Sequence, residues 1–162
     1  MKRIIMALVL GIVLTACSKT STPTTETNQN NTPSVVEDEY MTYVTGLGFT
    51  NVTNVNGTVP YKTYTLNETV AADTEVYNQW MYVWENPSDY VGKEVSVYEY
   101  TAKKDNKDYN VYTLVNDNKV IGGYYYEPTG TIEEATVLHE TYKPTLAEEF
   151  KASWDELFNL NK

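Results

Sequence analysis

The stretch from Tyr90 to Pro128, YVGKEVSVYEYTAKKDNKDYNVYTLVNDNKVIGGYYYEP, constrains the fold more than any other, because β-branched and aromatic runs alternate with two short polar breaks. It predicts three consecutive antiparallel strands. Asp117-Asn118 suits a two-residue turn, in which both residues must accept a positive φ. With that pair at the centre, Val115 opposes Val120, Thr113 opposes Gly122 and Val111 opposes Tyr124. One face then carries Val111, Thr113, Val115, Val120, Gly122 and Tyr124; the other carries Tyr112, Leu114, Ile121, Gly123 and Tyr125. Both are largely apolar, so something must cover each, at least in part. Gly123 reads as room for the Tyr112 ring across the ladder or as a bulge, against the alternative that a helix or ligand backbone approaches there. From Glu94 to Ala102, Val95 and Val97 point one way while Tyr98 and Tyr100 point the other, a conflict that a bulge near Tyr98 would reconcile.

The N-terminus speaks to location. Lys2 and Arg3 precede an apolar run from Ile4 to Leu14 and then small residues ending at Cys17, the three-part layout of a secretory signal. The run is too short to cross a hydrocarbon core, which takes about 20 apolar residues. Leu14-Thr15-Ala16-Cys17 resembles the bacterial lipobox, in which the cysteine receives a thioether-linked diacylglycerol and cleavage follows just before it. The expectation is therefore a signal peptide over 1–16 and a lipid anchor on Cys17, holding the protein on the outer face of the cell membrane. Residues 18–34 contain no aliphatic or aromatic side chain. They read as a flexible tether reaching at most about 60 Å, followed by an extracytoplasmic domain over 35–162.

Charge and cysteine narrow the function classes. The chain has 12 basic and 22 acidic residues, a net −10, which becomes −12 once Lys2 and Arg3 are removed with the signal. No basic stripe is available to displace phosphate counterions, so nucleic acid is set aside as a partner. Cys17 is the only cysteine, leaving the domain without a disulfide or a thiol nucleophile.

Around the central strands, the patterns predict helices and a hairpin. Ser34 with Glu37 has capping-box spacing, and Val36, Tyr40, Tyr43, Val44 and Leu47 share a helical stripe that Gly48 ends. FTNVTNV and TVPYKTYTL flank Asn56-Gly57, a hairpin signal, with Pro60 placing the second strand at an edge. A helix from about Val70 to Trp84 would gather Val76, Tyr77, Trp80, Val83 and Trp84 on one side and end at Pro87. A short strand is expected within Ala135 to His139. Thr145 with Glu148 caps a closing helix whose Leu146, Phe150, Trp154, Leu157 and Phe158 face the core. The fold class is thus α+β: an antiparallel sheet of about five strands, a β-hairpin plus a three-stranded meander, with an N-terminal, a middle and a C-terminal amphipathic helix.

Catalytic chemistry finds few residues to stand on. His139 is the sole imidazole, and no nucleophile elbow, Ser-x-x-Lys motif or phosphate loop occurs. Asp105, Asn106, Asp108 and Asn110 offer oxygens, but Lys103, Lys104 and Lys107 intrude, and the loop lacks the glycine and terminal glutamate of a calcium site. No metal or cofactor is expected. The informative excess is tyrosine, 15 residues against three phenylalanines. Phenols need hydrogen-bond partners when buried, so rings in this number suggest partial exposure. Tyr98, Tyr100, Tyr112, Tyr125 and Tyr126 are the candidate platform for a peptide or glycan, the alternative being that they cover the sheet in place of a helix.

Tyr77-Asn78, Tyr90-x-Gly92-Lys93-x-Val95, Tyr98-x-Tyr100 and Lys119-Val120-Ile121-Gly122-Gly123, in this order, resemble the bacterial secreted and membrane-tethered family designated domain of unknown function 4830. The resemblance spans roughly Val59 to Tyr126. It departs in the more aromatic stretch from Trp80 to Trp84 and in the tail after Pro128. It implies a small extracytoplasmic α+β domain and brings no activity or functional residues. The functional expectation is a membrane-anchored, non-enzymatic module binding a protein, peptide or envelope polymer. A structural module docking through an apolar helix face and an extracytoplasmic hydrolase are the alternatives.

Overall fold

The computed structural model describes residues 38–139 and 147–161, which belong to the compact unit Val35–Lys162. The expected signal segment, Cys17 and the tether lie outside the described residues, as do Ser34, Val36, Glu37, Thr145 and Leu146. In chain order the elements are α1 (Glu39–Gly46), β1 (Thr50–Asn54), β2 (Lys62–Thr65), α2 (Glu68–Ala71), α3 (Thr74–Trp80), β3 (Glu94–Lys104), β4 (Lys107–Asn116), β5 (Lys119–Tyr126), β6 (Thr136–Val137) and α4 (Ala147–Leu157). The strands form one antiparallel sheet in the order β1-β3-β4-β5-β6, with β2 also on β3. The architecture is α+β, with six strands among the described residues where about five were expected.

The β3–β4–β5 meander is as the sequence predicts. Its turns sit at Asp105-Asn106 and Asp117-Asn118, all four residues having positive φ between 48° and 63°. Asn and Asp tolerate this region because their short polar side chains bond locally. Val115 opposes Val120, but the register then slips by one: Leu114 meets Gly122, Thr113 meets Gly123, Tyr112 meets Tyr124 and Val111 meets Tyr125. The expected pairs of Thr113 with Gly122 and Val111 with Tyr124 are therefore corrected. The extra residue is Ile121, which the bulge turns into the core, where it is fully buried. Both glycines have close neighbours. A Cβ on Gly122 would stand 2.9 Å from Val83 Cα, and one on Gly123 would stand 2.7 Å from Tyr112 O and 2.5 Å from Leu138 Cδ1. The Tyr112 ring is not what Gly123 makes room for, since Gly123 opposes Thr113 and meets the Tyr112 carbonyl oxygen. The bulge lies at Ile121, and the close backbone approach is the chain's own segment at Val83, which bridges to Gly122.

No bulge lies near Tyr98. The β3–β4 register is unbroken from Ser96↔Val115 to Lys104↔Lys107. The apparent conflict in β3 arises because both faces of the sheet are covered, over different lengths of the strand. On the first face Val95 and Val97 join Leu114, Ile121 and Tyr124, roofed by Leu66, Val76, Trp80, Phe150, Trp154 and Phe158. On the second face Tyr100, Ala102 and Val111 join Val44, Phe49 and Leu138, with Tyr40, Tyr43 and Leu47 of the α1 stripe packed against them. Gly48 follows α1 with φ +86°, as a helix stop requires.

Four expectations change. The cap of α1 is Asp38, whose Oδ1 accepts from Tyr40 N–H at 2.9 Å. The middle helix breaks in two: α2 ends at Ala71, and Asp73 caps α3 by accepting from Glu75 N–H. Pro87 does not end that helix, which stops at Trp80; it opens a short 3-10 turn over Pro87–Tyr90 instead. Finally, β1 and β2 do not form a hairpin. Both pair with β3, β1 along Tyr100 to Lys103 and β2 along Glu94 to Val97, so they run end to end in the same direction. Asn56-Gly57 still turns the chain, Gly57 having φ +66°, but within a loop from Val55 to Tyr61 that stands out from the sheet edge. The opposite edge is treated alike: β6 pairs with Tyr124 and Tyr125, and Val83 bridges Gly122. Two short pieces on each side leave little continuous edge for another strand to extend.

Candidate functional site

The five tyrosines singled out in the sequence do not share one surface. Tyr98, Tyr100 and Tyr125 belong to the second face, and Tyr112 and Tyr126 to the first. Tyr100 is completely buried, and its hydroxyl donates to Asp38 Oδ2 at 3.2 Å. Burial, followed by the charge of Asp38, pushes its pKa up. Tyr98 is half-buried against Tyr40, with centroids 4.9 Å apart. Tyr125 packs edge-on to Phe49 and Tyr109, and the Lys104 ammonium lies 5.7 Å from its centroid. A single five-ring platform is therefore corrected, since period-two alternation sends neighbouring β5 tyrosines to opposite sides.

On the first face the rings do converge. Tyr112 opposes Tyr124 across the β4–β5 ladder, and Tyr126 follows two residues on. The three rings are stacked within 12–22° of parallel, at centroid separations of 4.9, 5.6 and 6.2 Å. Tyr61, carried by the loop between β1 and β2, stands edge-on to Tyr112 at 6.2 Å. Together with Glu75, Ile132 and Glu133 they line an open groove of about 340 Å³. Tyr112 and Tyr124 are 7% and 3% exposed and form its floor, whereas Tyr61 is 48% exposed and forms a wall. A second concavity of about 370 Å³, lined by Tyr109, Tyr125, Glu127 and Glu134 among others, meets it at Tyr126 and Gly130.

Hydrogen bonds fix the polar groups. Tyr126 donates to the Tyr112 hydroxyl at 3.0 Å, and Tyr112 donates to Glu99 Oε1 at 2.8 Å. Behind the groove, Trp80 Nε1 donates to Tyr64, whose hydroxyl donates to Gln79, whose amide donates to Glu75. The other Glu75 oxygen accepts from Lys62 at 2.9 Å. At the rim, Tyr82 donates to Ile132 O at 2.8 Å and Asn78 donates to Glu133 Oε1 at 3.1 Å. Each rim group is thereby tied to α3 or to the segment that follows it.

The electrostatics follow this layout. The charge of Glu75, then burial, then Glu99 raise the Tyr61 pKa. Burial raises that of Tyr112, aided by its bonds with Tyr126 and Glu99. The phenols therefore stay neutral at physiological pH. Bonds from Thr131, from its own backbone N–H and from Asn78 hold Glu133 below the usual carboxylate range. Among the described residues neither Glu99 nor Glu133 has a cationic partner within 4 Å.

Elsewhere, Val83, Trp84, Pro87, Phe150, Trp154 and Leu157 line a mostly apolar trough of about 420 Å³. His139 lies beside Trp84, with centroids 5.1 Å apart. Among the described residues no three His, Cys, Asp or Glu side chains gather as metal ligands, and no helix is long and apolar enough to cross a membrane. Sequence reasoning missed Tyr61, Tyr124, Glu75, Glu99 and Glu133. Tyr61 beside Pro60 carried the one local hint, an aromatic residue at a position unable to join a ladder. No protein-family model, curated protein or solved structure was found to match the chain.

Proposed function

We propose that the protein is a lipid-anchored, extracytoplasmic binding module without catalytic activity, and that the first-face groove takes an extended protein, peptide or envelope-polymer segment. The observation that carries this reading is the groove itself, where two buried rings floor a concavity walled by Tyr61 and Tyr126 and rimmed by carboxylates. Flat amphipathic rings held by stacking bind at low entropy cost, and interface cores are rich in tyrosine for that reason. The lipobox-like Leu14-Thr15-Ala16-Cys17 would place such a module outside the cytoplasm on a tether. Membership of the family designated domain of unknown function 4830 fits the same reading and stays part of the proposal. An assembly module docking through an apolar helix face is less favoured, because Phe150, Trp154 and Phe158 of the closing helix are buried within the domain.

The test compares rings on the two faces. The full chain, immobilised, is exposed to an envelope fraction and to a peptide library. Tyr126→Ala is expected to reduce retention about tenfold, in keeping with loss of one aromatic anchor, while Tyr98→Ala leaves it unchanged. Equal retention by Tyr126→Ala and the parent protein would overturn the groove as the binding site. Loss of membrane fractionation in Cys17→Ala tests the anchor separately.

A further inference from the structure

We propose that the first-face groove recognises an organic ammonium group, with Tyr61 and Tyr126 as its accessible aromatic walls and Glu99 and Glu133 as its counter-charges. This inference rests on the groove reading and names the ligand's chemistry. Aromatic rings attract ammonium ions through their quadrupole, most strongly where water is partly excluded. Tyr61, Tyr112, Tyr124 and Tyr126 line one concavity of about 340 Å³, and Tyr112 and Tyr124 are almost fully buried. The second face shows the same chemistry satisfied within the chain, where Lys104 lies 4.8 Å from the Phe49 centroid and 5.7 Å from that of Tyr125. No lysine stands over the four groove rings among the described residues.

Charge selects the ligand's sign. Glu75 is already matched by Lys62, which also lies 3.6 Å from Asp73. Among the described residues no cation lies within 4 Å of Glu133, which lines the groove, or of Glu99, which accepts from the Tyr112 hydroxyl behind it, so a phosphate or carboxylate would be repelled. A neutral sugar would stack on the same rings and donate to the same carboxylates but gain nothing from their charge, which is why the test compares each cation with a neutral counterpart. Ring surface and carboxylate oxygen, the pair of features an ammonium group uses, stand together in the groove lining.

The experiment is an amide-resolved NMR titration of the full chain in uncharged detergent. Choline is compared with its neutral isostere 3,3-dimethylbutan-1-ol, and pentalysine with its fully Nζ-acetylated form. Shifts confined to Tyr61, Tyr126, Gly130 and Glu133, with at least one cation binding about tenfold tighter than its neutral counterpart, support the proposal. A response to choline alone identifies a quaternary head group, and one to pentalysine alone a peptide amine. Tyr61→Ala, in an exposed loop, is expected to weaken cation binding about fivefold. Neutral counterparts that bind the same residues equally well would overturn the ammonium assignment and leave the groove standing. Shifts located elsewhere, or no response to any of the four probes, would overturn the assignment and remove its support from the groove.

Discussion

The two faces of the sheet are held by different means. The first is roofed by long aromatic side chains from α3 and α4, with Trp80 and Trp154 5.9 Å apart and Trp154 Nε1 donating to Ala71 O at 3.0 Å. On the second lies one eight-residue helix, packed through Val44, Tyr40 and Tyr43 and tied to the sheet by a single carboxylate. Asp38 caps α1 through Tyr40 N–H, accepts from Asn54 of β1 at 2.7 Å and accepts from Tyr100 of β3 at 3.2 Å. The difference teaches that a sheet rich in tyrosine can be covered by the apolar bulk of two aromatic-rich helices on one face and by a single short helix with added polar anchoring on the other. Only the first face leaves stacked rings at a groove, because α3 and α4 roof the Val95, Val97 and Leu114 end of that face and not the Tyr126 end.

The largest expected effect removes the roof. Trp154→Ala deletes a 2% exposed indole that packs on Trp80, Tyr77, Phe150 and Phe158. It is expected to cost about 3–5 kcal/mol in urea unfolding. A loss below about 1 kcal/mol would mean that α4 is not part of the core. Next is the anchor of the second face: Asp38→Ala removes a helix cap and two side-chain acceptor contacts, and about 2–3 kcal/mol should be lost. Asp38→Asn, which keeps an acceptor oxygen, should recover part of it. If both variants match the parent protein, the second face is held by packing alone and the contrast fails.

Alkali sharpens the contrast further. Burial raises the pKa of Tyr64 and Tyr124 on the first face and of Tyr100 on the second above the ordinary value of 10, and Tyr40 is pushed up to about 12. A phenol whose folded pKa is raised binds its proton more tightly in the native state. Its stabilising contribution is complete below pH 10 and is lost as pH climbs from there through the folded value. Denaturation between pH 9 and 11 should show stability falling only above pH 10, by about 1.4 kcal/mol per pH unit for each of the deeply buried Tyr64 and Tyr124. A flat profile would mean that these rings ionise as freely in the fold as out of it.

Much of the fold was legible because it is written in local chemistry. The Asp117-Asn118 and Asp105-Asn106 turns and the alternation between them specify the meander. What could not be read is long-range. Asn56-Gly57 announces a turn, but whether the following strand folds back on β1 or continues along β3 is decided by which edge has unpaired backbone. The slip at Ile121 depends on Val83 arriving at Gly122. The same holds for the site. Tyr112 and Tyr126 were identifiable as strand tyrosines, but the bulge that sets Tyr112 opposite Tyr124 was not. For this reason Tyr112→Ala with Tyr125→Ala, a natural choice from the sequence, would cut into both cores and report on stability instead of binding.

The most direct test of this division is ring by ring. With 3-fluorotyrosine incorporated throughout the full chain, 19F resonances are assigned by single Tyr→Phe substitutions and a soluble paramagnetic agent is added. The account predicts strong broadening for Tyr61, intermediate broadening for Tyr126 and Tyr98, and protection of Tyr64, Tyr100 and Tyr124. Broadening of Tyr100 or Tyr124 as strong as that of Tyr61 would contradict the two-face assignment and the groove built on it.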